Sequence, residues 1–363
     1  MKIVPLTKEN EKLWNAFVDS NPNSTFFHTL EWKEIVEEVY GFKPMYFIAV
    51  GKESSGKDSV KGICPAFFTD SILFGKKIIS TPFNFYNGPL FDDEKAGEEL
   101  ICNLKEEGRK TGSKYVEFKF MDEIDSLAKK TKLKKNDHYF ISSLKLEESY
   151  GKAQEKYRKN HRKNLRTLWR NAEKDGLMIE EAKTRDELDR FHDVMVRVLR
   201  DKHNMIPQPF RLFYILFEKL RPKKKIIVFL VKDKNRKNKI IAGMIVLFHK
   251  ENAIYAWGAS GQDYKRYSPS TLLVDNAIKY CISKGCKNLD FGVTSPLHED
   301  LLYFKESWGC THKKLPYYYF LITEKELPCL DYHTSFKTLR KPFRFVPVWL
   351  IKKMSPVITK QLA

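Results

Sequence analysis

Residues 280–309 read YCISKGCKNLDFGVTSPLHEDLLYFKESWG. The order is the end of an amphipathic helix, a Lys-Gly turn, and a short strand closing on Asp290-Phe291-Gly292. A polar loop follows, then Leu302-Tyr303-Phe304-Lys305 ahead of Trp308-Gly309. A glycine directly after a buried strand lets the backbone approach another group closely. A single lysine inside an aromatic run either snorkels outward or meets an anion. Helix, glycine turn and strand in this order point to an α/β chain.

Working outward, the same unit recurs. In the second half, strands are expected at 226–231, 240–249, 253–259, 288–292 and 317–323, with a helix at 268–283. In the first half the pattern gives a helix at 32–40, strands at 44–50, 60–68 and 76–80, a helix at 94–112 and a strand at 114–120. A basic helix at 152–175, a strand at 177–182 and a helix at 185–203 lie between. Residues 112–118 and 284–291 match as helix, glycine turn and strand, each carrying an acid before Phe (Glu117 and Asp290). The expected class is α/β (α+β): domains at 1–148 and 149–328, each a mixed central sheet flanked by helices, then a basic-aromatic tail at 329–363.

The chain has 363 residues, enough for two ordinary domains, and its 42% hydrophobic content supports packed cores. No stretch approaches the ~20 apolar residues needed to span a bilayer. The opening MKIVPLTKENEKLW has no apolar signal core, so a cytoplasmic location is expected. The six cysteines lack CxxC spacing and His clustering; they read as reduced thiols, without metal or disulfide framework. The net charge of +19 is concentrated: residues 152–174 carry +7, 219–239 carry +9 and 337–353 carry +6. Such surfaces suit polyanionic partners (tRNA, a lipid pyrophosphate or an anionic membrane), although a solvated lysine-rich face gives the same counts.

Several segments resemble the FemAB-like acyl and aminoacyl transferases, in family order. They are Ser24-Thr25-Phe26-Phe27-His28-Thr29-Leu30-Glu31-Trp32, Ser80-Thr81-Pro82-Phe83, and Tyr86-Asn87-Gly88-Pro89-Leu90 with Asp92. Tyr157-Arg158-Lys159-Asn160-His161-Arg162-Lys163-Asn164, residues 253–260 and Ser268-Pro269-Ser270-Thr271-Leu272-Leu273 come next. Asp290-Phe291-Gly292 and Phe304-Lys305 with Trp308-Gly309 close the series. The likeness covers roughly residues 1–325 and rests on order more than on any one motif. It implies two tandem GNAT-like domains and an acyltransferase or aminoacyltransferase. The tail is similar to that of FemAB-like proteins associated with exopolysaccharide or exosortase systems. The long helical hairpin that some members insert in the second domain is missing, which weakens the carry-over of tRNA use.

The candidate catalytic residues are Lys305, Asp92 and Asp290. In a groove bordered by Tyr303, Phe304 and Trp308, Lys305 would neutralise an acceptor phosphate or the carbonyl oxygen that gains charge in acyl transfer. A surface lysine on a helix gives the same pattern. Asp92 would receive the proton of an attacking amine, and Asp290 would orient a donor; both are also ordinary structural acids. Arg158, Arg162 and Arg166 recur every four residues, a fork-rich face suited to phosphate. Ser268, Ser270 and Thr271 open a helix and offer an anion site or a plain cap. The turn before them, Tyr-Lys-Arg-Tyr-Ser-Pro-Ser-Thr, has no glycine, unlike the pyrophosphate turn of acetyl-CoA enzymes. Trp32, Tyr86, Asn87, Tyr255 and Trp257 complete the substrate-binding candidates; the aromatics fit core positions equally. No nucleophile triad is readable, so positioning and charge stabilisation would carry the reaction.

The resulting expectation is transfer of an acyl or aminoacyl group onto an amine of a cell-envelope, peptidoglycan or polysaccharide precursor, held between the domains by its phosphates. No cofactor is expected to be tightly bound; the donor is an aminoacyl-tRNA or an acyl-CoA. The acceptor would be a lipid-linked or nucleotide-linked sugar. Two rivals stand beside it: acetyl-CoA-dependent N-acetylation of an amino sugar, and a non-catalytic polyanion- or membrane-binding module. In the tail, Phe343, Phe345, Val346, Trp349, Leu350 and Ile351 with flanking bases suit an anchor on the inner membrane face or a strap over the second domain.

Overall fold

A computed structural model describes residues 1–52, 56–83, 86–328 and 344–362. The chain divides into two compact units, one of residues 1–139, 314–331 and 360–363, the other of 140–313 and 332–359. The crossing falls at 139/140, and residues 314–331 return to the first unit, whereas the sequence pattern carried the second domain from 149 to 328.

In the first unit, Lys2–Pro5, Phe47–Lys52, Asp58–Cys64 and Leu90–Phe91 form an antiparallel sheet in that order. Phe67–Ser71 pairs antiparallel with Gly75–Ile79, which runs parallel to Tyr115–Lys119, and residues 317–321 complete the set. The helix Glu94–Lys110 starts on Asp93, whose carboxylate accepts from Ala96 N. It buries Leu100, Ile101 and Leu104 against Ile78, Val116 and Phe118. Gly112 follows in the left-handed region at φ +65°, the conformation that lets the chain turn straight into the strand.

In the second unit the strands run Leu177–Glu181, Ile226–Asp233, Lys239–His249, Asn252–Ser260, Asn288–Thr294 and then residues 140–145 of Lys134–Lys145. Every pairing is antiparallel except Asn252–Ser260 with Asn288–Thr294. The helices Lys159–Lys174 and Pro269–Ser283 cover one sheet face, burying Leu165, Leu168, Leu272 and Ile278 with Phe229, Met244 and Val246. On the opposite face Arg185–Val198 brings Phe191 against Gly243, where a Cβ would lie 2.6 Å from the ring. Only glycine allows that approach.

The basic helix is shorter than its charge pattern suggests. Residues Tyr150–Glu155 form a separate helix, the chain turns at 156–158, and the longer helix starts at Lys159. Tyr157 is buried in that turn against Trp308, and Gly309, at φ +85°, leaves space for the Lys156 carbonyl 3.1 Å from where a Cβ would sit. The two helices are held to Pro269–Ser283 by Asp275, which has no exposed surface. It accepts from the Tyr150 hydroxyl, from Trp169 Nε1 (2.8 Å) and from Lys279 Nζ (2.7 Å).

Candidate active site

The parallel pair in the second unit is the centre of the site. Its register runs Asn252↔Asn288, Ala253↔Leu289 and Ile254↔Asp290, then stops. Beyond it, each strand has an irregularity on its other edge. Against Lys239–His249 the register jumps from Tyr255 to Trp257, leaving Ala256 out of the ladder, and against 140–145 it slips between Asp290 and Val293. Two parallel strands that part in this way leave a notch lined by main-chain groups.

Buried main-chain groups require partners, so the notch exists only because side chains supply them. Gly292, at φ +74°, donates its N–H to Asp290 Oδ1 (2.6 Å), and its carbonyl accepts from Lys305 Nζ (2.8 Å). Lys305 therefore does not line an open groove. It is 4% exposed, and burial brings its ammonium down to about 8 against the opposing pull of Asp290 and Cys310. The exposed member of its aromatic run is Tyr303, which carries Arg158 over its ring at 4.2 Å; Arg158 also pairs with Glu306. Tyr255 flanks the notch through Phe291, ring centroids 6.4 Å apart, and burial pushes its phenol up to about 12. Trp257, past the irregularity, packs instead on Phe213 at 5.4 Å.

Beside the Lys305 helix lies a cluster whose chemistry the residue pattern does not disclose. Tyr157, His161 and Trp308 meet with centroids 5.0 Å (Tyr157 to Trp308) and 4.3 Å (His161 to Trp308) apart. Tyr157 Oη, His161 Nε2 and Trp308 Nε1 are each buried without a hydrogen-bond partner among the described residues. Burial also holds the His161 imidazole below its ordinary value, so it is neutral at pH 7. Three buried polar groups without a partner among the described residues thus meet in one box. The sequence signals for it were Tyr157 and His161 within the family-like stretch 157–164 and Trp308 in the closing Phe304-Lys305 segment, with nothing to show that the three meet.

The other expected residues fall into place as follows. Arg158 precedes the basic helix in extended conformation, so the helical row is Arg162, Arg166 and Arg170; Arg162 and Arg166 have no ion pair among the described residues. Ser268 occupies the N-cap position of Pro269–Ser283 but at φ +46°, and its side chain makes no cap. With Pro269 lacking an N–H and Thr271 N donating to the Ser268 carbonyl (2.8 Å), Ser270 N is left to meet an anion in the first turn. That turn does not fit the multi-donor cradle a pyrophosphate needs. In the first unit, Trp32 and Tyr86 are core residues around Phe27, and Trp32 Nε1 donates to Thr81 Oγ1 at 3.0 Å. Asn87 is buried, and neither side-chain amide atom has a hydrogen-bond partner among the described residues. Asp92 is exposed, its N–H bonded to the Lys61 carbonyl at 2.8 Å.

Of the tail, Phe343 and the rest of 329–343 lie outside the described residues. Residues Val348–Leu362 form a helix that buries Ile351, Ser355 and Thr359. Within the second unit Lys352 reaches Asp189 (2.8 Å) and Asp193 (2.7 Å), and the Ser355 hydroxyl donates to the Pro207 carbonyl. Ile351 is thus spent on packing, while Phe345, Trp349 and Val357 face solvent beside Arg344 and Lys353. Among the described residues no helix is long and apolar enough to cross a membrane, and no group of three or more His, Cys, Asp or Glu is placed to hold a metal ion.

Residues 159–304 match the family model of the acetyltransferase (GNAT) domain. The structure is similar to that of FemX, with a TM-score of 0.69 and 15% identity, covering 89% of this chain and 98% of that one. It is also similar to a tandem GNAT protein from the clavulanic acid biosynthesis pathway (TM-score 0.56, 10% identity, 88% and 98% covered). A third likeness is to the C-terminal domain of a putative lysylphosphatidylglycerol synthetase from Agrobacterium fabrum (0.55, 15%, 86% and 91%). Compared by sequence with curated proteins, the chain matches none. The architecture is therefore two GNAT-like domains in tandem, a fold it shares with FemX and with the tandem GNAT protein.

Proposed function

We propose that the protein transfers an acyl or aminoacyl group onto an amine of a phosphate-bearing cell-envelope or polysaccharide precursor. The observation that carries this reading is the notch after Ile254 and Asp290, kept apart by Asp290 and Lys305 holding both main-chain groups of Gly292. An activated carbonyl seated there meets the unpaired edge of residues 255–257 and the field of the Lys305 ammonium. The acceptor nitrogen attacks the carbonyl carbon. A C–N bond forms, the C–O or C–S bond to the donor breaks, and the departing oxygen or sulfur takes a proton. His161, neutral and with Nε2 unpaired, accepts the proton that the amine loses. Lys305 is a positioning residue in this scheme, because its ammonium donates to the Gly292 carbonyl.

The poor fit of the 268–271 turn to pyrophosphate favours an aminoacyl ester over acyl-CoA as donor. Arg162 and Arg166 supply unpaired guanidiniums for acceptor or tRNA phosphates. The exposed Phe345, Trp349 and Val357 with Arg344 and Lys353 support contact with an anionic membrane, where lipid-linked precursors reside. The test is mass spectrometry of an amine-bearing nucleotide-linked or lipid-linked sugar peptide after incubation with charged tRNA or with acyl-CoA. A mass increase of one residue, lost in His161→Gln and reduced in Lys305→Met, is expected. No transfer from either donor, or full activity in both variants, would refute the proposal.

A further inference from the structure

The first unit carries a second constellation, unconnected to the transfer chemistry. Strands place side chains on alternate faces, and paired residues share a face. The pairs Thr69↔Lys77, Ile79↔Glu117, Tyr319↔Glu117 and Tyr317↔Lys119 therefore put Thr69, Lys77, Glu117, Lys119, Tyr317 and Tyr319 on one side of the sheet. The opposite side, with Ile78, Val116, Phe118 and Tyr318, is the apolar core. All six polar-face residues are buried.

Part of this face is internally satisfied. Lys119 Nζ pairs with Glu117 Oε1 at 3.0 Å, and the Tyr319 hydroxyl donates to Glu117 Oε2 at 2.8 Å. Lys77 is not. It is 8% exposed, and no described residue pairs with or accepts a hydrogen bond from its ammonium, whose recorded neighbour is the Phe74 ring at 5.6 Å. Directly across the register, Thr69 is 1% exposed, and its Oγ1 also lacks a partner among the described residues. Two ammoniums against one carboxylate leave the face with one excess positive charge. A buried ammonium and a buried hydroxyl without partners, side by side, are each costly in an empty fold. One negatively charged acceptor between them removes both penalties.

We propose that this face is a binding site for a single oxyanion, the carboxylate or phosphate of a small ligand, held between the Lys77 ammonium and the Thr69 hydroxyl. Burial lowers Lys77 to about 8, against the attraction of Glu117, so the free site still carries its charge at pH 7 and titrates as the pH passes 8. The inference does not rest on the proposed transfer, and its test leaves the second unit untouched.

The experiment is calorimetric titration of the whole protein with inorganic phosphate and, separately, with acetate, alongside Lys77→Met and Thr69→Val. One of the two anions is expected to bind with unit stoichiometry. Lys77→Met should weaken it at least about tenfold and Thr69→Val by about threefold. Phosphate binding assigns a phosphoryl ligand, acetate binding a carboxylate. Lys77→Met should also raise the melting temperature, because it removes an uncompensated buried charge. A lysine with a purely structural role predicts the reverse. Protection of Lys77 from amine acylation by the bound anion, read by peptide mass spectrometry on the unaltered protein, gives the same answer without a variant. Binding by neither anion, or binding that survives Lys77→Met, would overturn the proposal.

Discussion

Replacing Lys305 with Met separates the cost of burying its charge from the bond it makes. Burial brings this ammonium from 10.5 to about 8, which corresponds to about 3 kcal/mol of lost ionisation free energy. Because the folded-state value lies below the unfolded one, the folded chain holds fewer protons than the unfolded chain between about pH 8 and 10.5. The stability of the natural protein therefore rises with pH across that window, and the penalty is fully present below it. Methionine carries no charge and has no such window. It also leaves the Gly292 carbonyl without its donor, a loss of about 1–3 kcal/mol at every pH. The two terms nearly cancel at pH 7, where the variant should match or slightly exceed the natural protein. At pH 10.5 the charge term is gone, and the variant should be weaker by the carbonyl term alone. Urea unfolding of both proteins at intervals from pH 7 to 10.5 reads this as two curves that diverge by about 3 kcal/mol. Parallel curves would mean that Lys305 is not a desolvated ammonium, and its assigned place under the notch would fall with them.

Four further outcomes are expected. The transfer rate should be bell-shaped in pH, falling above about 8 as Lys305 loses its proton and falling on the acid side below the ordinary histidine value as His161 gains one; the rate at saturating substrate measures it. Asp275→Asn should destabilise the fold by about 3 kcal/mol in urea unfolding, since it breaks a buried carboxylate's bonds to Tyr150, Trp169 and Lys279. Lys287→Ala, at an exposed pair with Glu251, should change stability by less than about 1 kcal/mol in the same assay. Phe345→Ala combined with Trp349→Ala should abolish sedimentation with phosphatidylglycerol vesicles while leaving the melting temperature in place, because both rings face solvent.

The elements legible in the sequence were those whose period is undisturbed. Pro269–Ser283, its glycine turn and Asn288–Thr294 follow the pattern of 268–292, as do Glu94–Lys110 and Tyr115–Lys119. Lys134–Lys145 is hidden because its first half, KKNDHY, is largely polar and shows no strand period, while its pairing with Asn288–Thr294 starts only at Phe140. Phe210–Leu220, FRLFYILFEKL, is too uniformly apolar and aromatic for its helical period to show. The site was less legible than the fold. Asp290 and Gly292 stand two residues apart, so their bond is a local matter, but the depth of Lys305 depends on what packs over it. The hub at Asp275 joins residues 125 and 106 positions away, and the unpaired atoms of Tyr157, His161 and Trp308 emerge only once the rings meet.

The likeness of the two units also bears on why the proposed chemistry is placed in the second. In both units a parallel pair ends at an acid, Ile79↔Glu117 in the first and Ile254↔Asp290 in the second. In the first, the strands are then stitched together. Ser80 N and its hydroxyl both donate to the Glu117 carbonyl, the same hydroxyl accepts from Lys119 N, and Lys119 Nζ reaches the Thr81 carbonyl. In the second, the residue two beyond the acid is a left-handed glycine whose N–H and C=O go to Asp290 and Lys305. Main-chain groups in a buried strand must bond to something. Where a serine on the neighbouring strand takes them, the pair stays shut; where an acid on the same strand and a lysine from the following helix take them, it can part. The acid position common to both units thus has two outcomes, set by Ser80 on one side and by Gly292 with Lys305 on the other.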